Sequence, residues 1–195
     1  MPLDVMQNEV VSKPLRLILL FTLLGLMFWY FPKTYAYVIW WVLVVCALGW
    51  LVIELRDRKD KNVRKAVEIG TFLMLFDFLV ENAGKLVGLW ESHNSAYFLL
   101  AVPIEVMLLA LMGGTAWALY QPKRFNRSYT LVDVAIFATF GALGEYIIGT
   151  KGLIIYMGGW TSFHAFLGYA LTWTILHSIV YLRMQSTAPR PTSSV

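Results

Sequence analysis

Charge is scarce in this chain. Of its 195 residues 14% are charged and 58% hydrophobic, with a mean hydropathy of +0.63, whereas an average soluble domain is roughly 25% charged. An ordinary soluble domain is excluded. Cysteine is limited to Cys46, which rules out an intrachain disulfide and leaves the redox compartment unread; inside an apolar run it reads as a small buried side chain. The three histidines of the chain never fall at His-x-x-x-His or His-x-x-His-His spacing, which argues against di-iron or haem chemistry. Also missing are a G-x-x-x-x-G-K phosphate loop, a G-x-S-x-G elbow and a paired aspartate-rich motif for magnesium on a diphosphate. No motif implies a cofactor or a metal.

What is there is apolar length. Six runs, 15–31, 35–54, 67–90, 95–120, 131–149 and 162–182, each approach the roughly 20 residues needed to cross a bilayer as helix. They predict an all-α integral membrane bundle of six transmembrane helices in one domain, 1–184, followed by a small polar tail, 185–195, expected to be disordered. FWYFPKTY follows the first run where a small-x-small cleavage site would stand, so that run reads as an uncleaved helix. Lys13, Arg16, Arg56, Arg58, Lys59, Lys61, Arg64, Lys65, Lys123, Arg124, Arg127, Arg183 and Arg190 fall on one side of this layout. Only Lys33 and Lys151 lie in the opposite loops. The positive-inside rule then puts both termini in the cytoplasm, and the chain in the cell membrane as a multi-pass protein. Trp29, Tyr30, Trp40, Trp41, Tyr97, Tyr156 and Trp160 flank the outer turns as an interfacial belt. Nucleic acid is not an expected partner, because the ELRDRKDKNVRKAVE loop mixes signs and lacks aromatics.

Against that background four carboxylates stand out: Asp77, Glu81, Glu105 and Glu145. A charge at bilayer depth costs roughly 2.5–3.5 kcal/mol on insertion scales, so such groups face a bundle interior or wet cavity and are functional candidates. Positions four apart share a helix face, so Asp77, Glu81 and Lys85 form one stripe, with Asn82 within reach. Lys85 is expected to pair with Glu81, which leaves Asp77 without a local cation and makes it the expected holder of a transferable proton. Runs three and four are joined by a short ESHNS turn, so Glu105 is expected to reach the same stripe. Glu145, with Tyr146 beside it, adds a fourth acid. Tyr169, Trp173, His177 and Tyr181 recur at four-residue spacing on run six; such a stripe is commonly packing, yet aromatic faces beside an acid would stabilise a cation. Trp90 closes run three. Glu81 with Gly84, Gly88 and Leu89, set against Glu145 with Gly149, Gly152 and Leu153, suggests a weak internal repeat of helices three and four in helices five and six, although small residues also serve close helix packing.

FDFLVENAGKLVGLW followed by FLLAVPIEVM resembles the membrane carotenoid end-group enzymes. In the small integral-membrane lycopene cyclases an Asp helix ends in Gly-x-Trp and precedes a Pro-x-Glu-Glu helix; Asp77, Gly88, Trp90, Pro103 and Glu105 take comparable places. The Asp-to-Gly interval is longer here, Val106 replaces the second Glu, and no Trp precedes Asp77. Glu81, Gly84 and Gly88 match the Glu-x-x-Gly-x-x-x-Gly run of the carotenoid hydratase-like branch. The likeness covers about 40 residues with a partial echo at Glu145, and membrane terpene cyclases are a further relative in chemistry. It implies a cofactor-independent, redox-neutral reaction in which a carboxylic acid protonates an isoprenoid C=C bond, and ring closure or water quenches the cation. Asp77, Glu81, Glu105 and Glu145 would be the acids and bases; Asn82, Lys85, Trp90, Tyr146, Trp173 and His177 would bind a lipophilic isoprenoid. The same acids would equally suit a proton- or cation-coupled transporter, or a structural subunit in a homo- or hetero-oligomer.

Overall fold

The computed structural model describes residues 3–57, 62–122 and 125–185. They are mostly helical: α1 (Leu3–Tyr30), α2 (Tyr37–Asp57), α3 (Val63–Leu86), α4 (Ile104–Tyr120), α5 (Arg127–Thr150) and α6 (Ser162–Gln185), with a 3-10 turn at Lys33–Tyr35. Four of them, α1, α2, α5 and α6, are long and apolar enough to cross a membrane. α4 is apolar but shorter, at 17 residues. α3 carries Arg64, Lys65, Glu68, Asp77, Glu81 and Lys85 along its length. The tail expected to be disordered lies, beyond Gln185, outside the described residues.

Two boundaries differ from the sequence expectation for local reasons. Run three stops at Leu86 instead of 90, because Gly88 takes a φ of +71°, a left-handed conformation that ends helices and suits glycine. Run four starts at Ile104 instead of 95. Pro103, with φ −59° and ψ 137°, stands at its N-cap, where a residue without an N–H forfeits no helical bond. The residues ahead of it form a tight hairpin, β2 (Phe98–Leu99) on β3 (Val102–Pro103). Glu105 therefore sits in the first turn of α4, not in mid-helix.

The helices alternate in direction, and α3 packs on α4, α5 on α6, α2 on α4, α1 on α5 and, more lightly, α3 on α6. The α3–α4 seam is the tightest. A methyl group on Gly70 would overlap Thr115 and the Leu111 carbonyl, and one on Gly114 would lie 3.1 Å from the Gly70 Cα. Small residues let membrane helices approach this closely. Gly70→Ala is expected to force the two helices apart at a cost of about 1–3 kcal/mol, read as a lower unfolding temperature in detergent; an unchanged temperature would mean the seam gives way freely.

The ends of α3 and α5 continue alike. After α3 the chain forms β1 (Trp90–Ser92), after α5 it forms β4 (Ile154–Tyr156), and these pair antiparallel with Glu91 opposite Ile155. His93 N–H donates to Leu153 O at 2.7 Å and Met157 N–H to Leu89 O at 2.7 Å, two bonds related by a local two-fold. Gly88 and Gly152 share the left-handed conformation, with φ +71° and +77°. Glu81 and Glu145, Gly88 and Gly152, Leu89 and Leu153 all recur at an offset of 64 residues. The Gly84 and Gly149 match, one residue out of step, is dropped: Ile148 holds the place equivalent to Gly84.

Candidate functional site

The centre of the bundle holds a partly open cavity of about 540 Å³ to which all six helices contribute, within the roughly 300–1,000 Å³ range of small-molecule sites. Its walls are almost wholly apolar and aromatic, including Phe21, Trp40, Trp50, Phe76, Phe137, Phe140, Trp160 and Trp173. Three carboxylic acids open into it: Asp77 and Glu81 from α3 and Glu145 from α5. Among the described residues no lysine or arginine lines it.

The three acids are held differently. Ser92 Oγ donates to Glu81 Oε2 at 3.3 Å, and Tyr156 OH donates to Glu145 Oε2 at 2.6 Å. Both donors lie 11 residues past their acid, so β1 and β4 deliver equivalent arms to equivalent carboxyls. Glu145 also accepts from Tyr169 OH of α6 at 2.8 Å, which fixes both of its oxygens as acceptors. Burial, then the Glu145 charge, raise the Tyr156 hydroxyl above the ordinary phenol range, so it stays a donor. Among the described residues Asp77 Oδ2 is buried without a hydrogen-bond partner. An orphaned buried carboxyl oxygen is costly and calls for a reason.

Only part of the expected site assembles. Asp77, Glu81, Glu145, Trp90 and Trp173 line the cavity. Trp90 packs at a tilt on Trp160, with ring centroids 4.6 Å apart, and lies against Gly84, where a side chain would overlap its ring. Glu105, 1% exposed, accepts from Ser95 Oγ at 2.6 Å and anchors the hairpin; its neighbour Val106 faces the cavity instead. Lys85 does not pair with Glu81. It bonds Glu91 at 2.6 Å, because α3 ends one residue later and β1 carries Glu91 back alongside; the Lys85 ammonium holds that carboxyl below its usual range. Asn82 donates to Phe78 O and accepts from Ala101 N–H, so it ties the hairpin to α3. Tyr146 is 50% exposed and absent from the cavity wall.

His177 is also placed elsewhere. Its Nε2 meets Asp133 Oδ2 at 2.9 Å, and Trp117 Nε1 donates to the same oxygen at 2.8 Å; Asp133 is 0% exposed. Trp117 and Phe137 pack on Trp173 and stand between this polar cluster and the cavity. Ser92, Tyr156 and Tyr169, which bond the acids, are the residues that sequence reasoning missed as site members, and Asp133 lies outside the cavity wall. Ser92 and Tyr156 share the 64-residue offset of their acids, and Tyr169 belongs to the aromatic stripe of run six.

No protein-family model, no curated protein and no solved structure matches the chain.

Proposed function

We propose that this is a multi-pass cell-membrane enzyme, with six spanning helices and both termini in the cytoplasm, that cyclises or hydrates the end of a lipophilic isoprenoid by acid catalysis. The observation that carries this reading is the pairing of one orphaned acid with one fully bonded acid across an apolar, aromatic cavity. Asp77 is the proton donor. Its O–H bond breaks as a new C–H bond forms on a terminal C=C, leaving a tertiary cation and the Asp77 carboxylate. The faces of Trp90, Trp160 and Trp173 stabilise that cation. Attack by the next C=C closes a ring, and loss of a proton to a carboxylate restores a neutral product; water attack gives an alcohol instead. Glu145, with both oxygens bonded by phenols, is the acid held in place beside the donor, and Glu81, more loosely held, is the base that takes the proton and passes it back to Asp77. Electrons are conserved throughout, so no redox partner is needed.

The test is isotopic. Membranes carrying the protein are given a linear isoprenoid such as lycopene in D2O, and the expected product is a cyclised or hydrated end with one non-exchangeable deuterium per converted end. Unchanged substrate across linear isoprenoids of several lengths would remove the reading. A second reading, proton-coupled transport, draws on the Asp133–His177 pair beyond the Trp117, Phe137 and Trp173 rings, which gives a second ionisable station along the bundle. Proton uptake by proteoliposomes without chemical conversion would favour it.

A further inference from the structure

The glycines inside the helices divide by what a side chain would meet. A methyl group on Gly70 would overlap Thr115, one on Gly84 the Trp90 ring and one on Gly141 the Tyr169 ring, while one on Gly114 would come within 3.0 Å of Leu73. These four serve close packing, the usual reason for glycine in a membrane helix. Gly113 of α4 and Gly144 of α5 have no such reason. Among the described residues nothing lies within 4 Å of a side-chain carbon built on either, and glycine is among the poorest residues for a helix interior. Gly49 and Gly168 have equal room, but both are exposed, and Gly49 does not line the cavity at all.

Both Gly113 and Gly144 face the cavity. On α4 the lining residues Val106, Leu109, Ala110 and Gly114 recur at three- and four-residue spacing, and Gly113 falls in the middle of the face they share. On α5 the lining arc runs round the helix from Leu143 to Glu145 by way of Phe137, Phe140 and Gly141; Gly144, one residue from each end of the arc, holds its centre. A side chain at either position would occupy the cavity itself. The space lies beside the acids. Glu145 follows Gly144 directly, and Gly114, next to Gly113, stands against Leu73, one turn before Asp77. Asp77 Oδ2, buried and without a partner among the described residues, belongs to the same cavity, and that oxygen asks for a ligand independently of the glycines. We infer that Gly113 and Gly144 are specificity-determining positions, kept without side chains to admit the methyl-branched reacting end of a linear isoprenoid beside Asp77 and Glu145. Recesses in two helices widen the cavity at that level, which suits a branched end better than a straight acyl chain. That occupant rests on the isoprenoid reading above; the room itself rests on the two helix faces and the open space.

The experiment uses the full chain in lipid nanodiscs and a linear C20 isoprenoid carrying a diazirine beside its terminal double bond. After irradiation the unaltered protein is expected to carry adducts on cavity-lining residues that excess squalene suppresses and excess hexadecane does not. Gly113→Leu and Gly144→Leu are each expected to lower these adducts about tenfold or more, the scale of extra carbon in an apolar pocket, and Gly49→Leu to leave them unchanged. Gly113→Ala and Gly144→Ala separate room from packing. Each should lower the adducts severalfold while the unfolding temperature in detergent holds or rises, opposite in sign to Gly70→Ala. A lower unfolding temperature in either alanine variant would return that glycine to packing and overturn its assignment. Folded leucine variants labelled like the unaltered protein, equal suppression by hexadecane, or no suppressible adducts would each overturn the inference as well. Photolabelling needs no turnover. A protein whose labelling falls in the leucine variants but which converts nothing in D2O keeps the room and loses the chemistry, and one that converts substrate with labelling indifferent to both leucines does the reverse.

Discussion

Asp77→Asn is expected to leave the protein in the membrane at its normal abundance and to lower conversion of a linear isoprenoid by about 10²–10⁴-fold, the span usually supplied by a positioned acid. The substitution keeps the size and shape of the side chain and removes the one thing the mechanism asks of it, a proton that can leave. Because Asp77 Oδ2 has no hydrogen-bond partner among the described residues, none of their donors or acceptors is orphaned by the change. Glu145→Gln is a different experiment. Its carboxyl holds Tyr156 and Tyr169, so the variant replaces an acceptor oxygen by an amide donor and disturbs the position of two rings at once. Product chromatography normalised to membrane-embedded protein separates the outcomes: Asp77→Asn with full abundance and full conversion would take the proton donor away from this residue. Parallel loss of protein and product would make Asp77 a packing group.

The membrane-type bundle and three of its four prominent acids were legible because each depends on one helical period. Asp77 and Glu81 are a turn apart on α3, and Glu145 repeats Glu81 at an offset of 64 residues, so the topology alone brings them to one level. What sequence could not give was where helices stop. Run three ends at Leu86, and the four residues between it and Glu91 are enough to turn β1 back and bring Glu91 to Lys85, which takes the cation away from Glu81. Run four begins after Pro103, which moves Glu105 from the bundle centre to a helix end bonded to Ser95. The aromatic stripe on α6 shows the other limit. Tyr169, Trp173 and His177 share a face by spacing, yet Tyr169 reaches Glu145, Trp173 lines the cavity and His177 lies past it at Asp133. A face fixes direction, but depth along the helix decides the partner. Asp133 drew no attention because it stands at the edge of an apolar run, where an isolated charge reads as interfacial.

Asp133→Ala is expected to cost about 3–5 kcal/mol of stability, the range for removing one member of a buried pair, and to reduce folded protein recovered in detergent severalfold. The size follows from what is left behind. Asp133 Oδ2 accepts from Trp117 Nε1 and meets His177 Nε2, and neither ring nitrogen, buried as they are, can turn to water. Each abandoned nitrogen carries a desolvation penalty of about 1–3 kcal/mol. Asp133→Asn keeps one carbonyl oxygen at the same place and is expected to lose much less, so the difference in thermal unfolding between Ala and Asn measures the acceptor and not the volume. Equal losses for the two would instead assign the effect to the charge. The Asn variant also separates the two functional readings. With Trp117 and Phe137 standing between Asp133 and the cavity, acid catalysis at Asp77 needs nothing from this pair, and folded Asp133→Asn should convert isoprenoid at close to the normal rate. A folded variant without turnover would draw Asp133 into the proton's path, and with it the relay that transport requires.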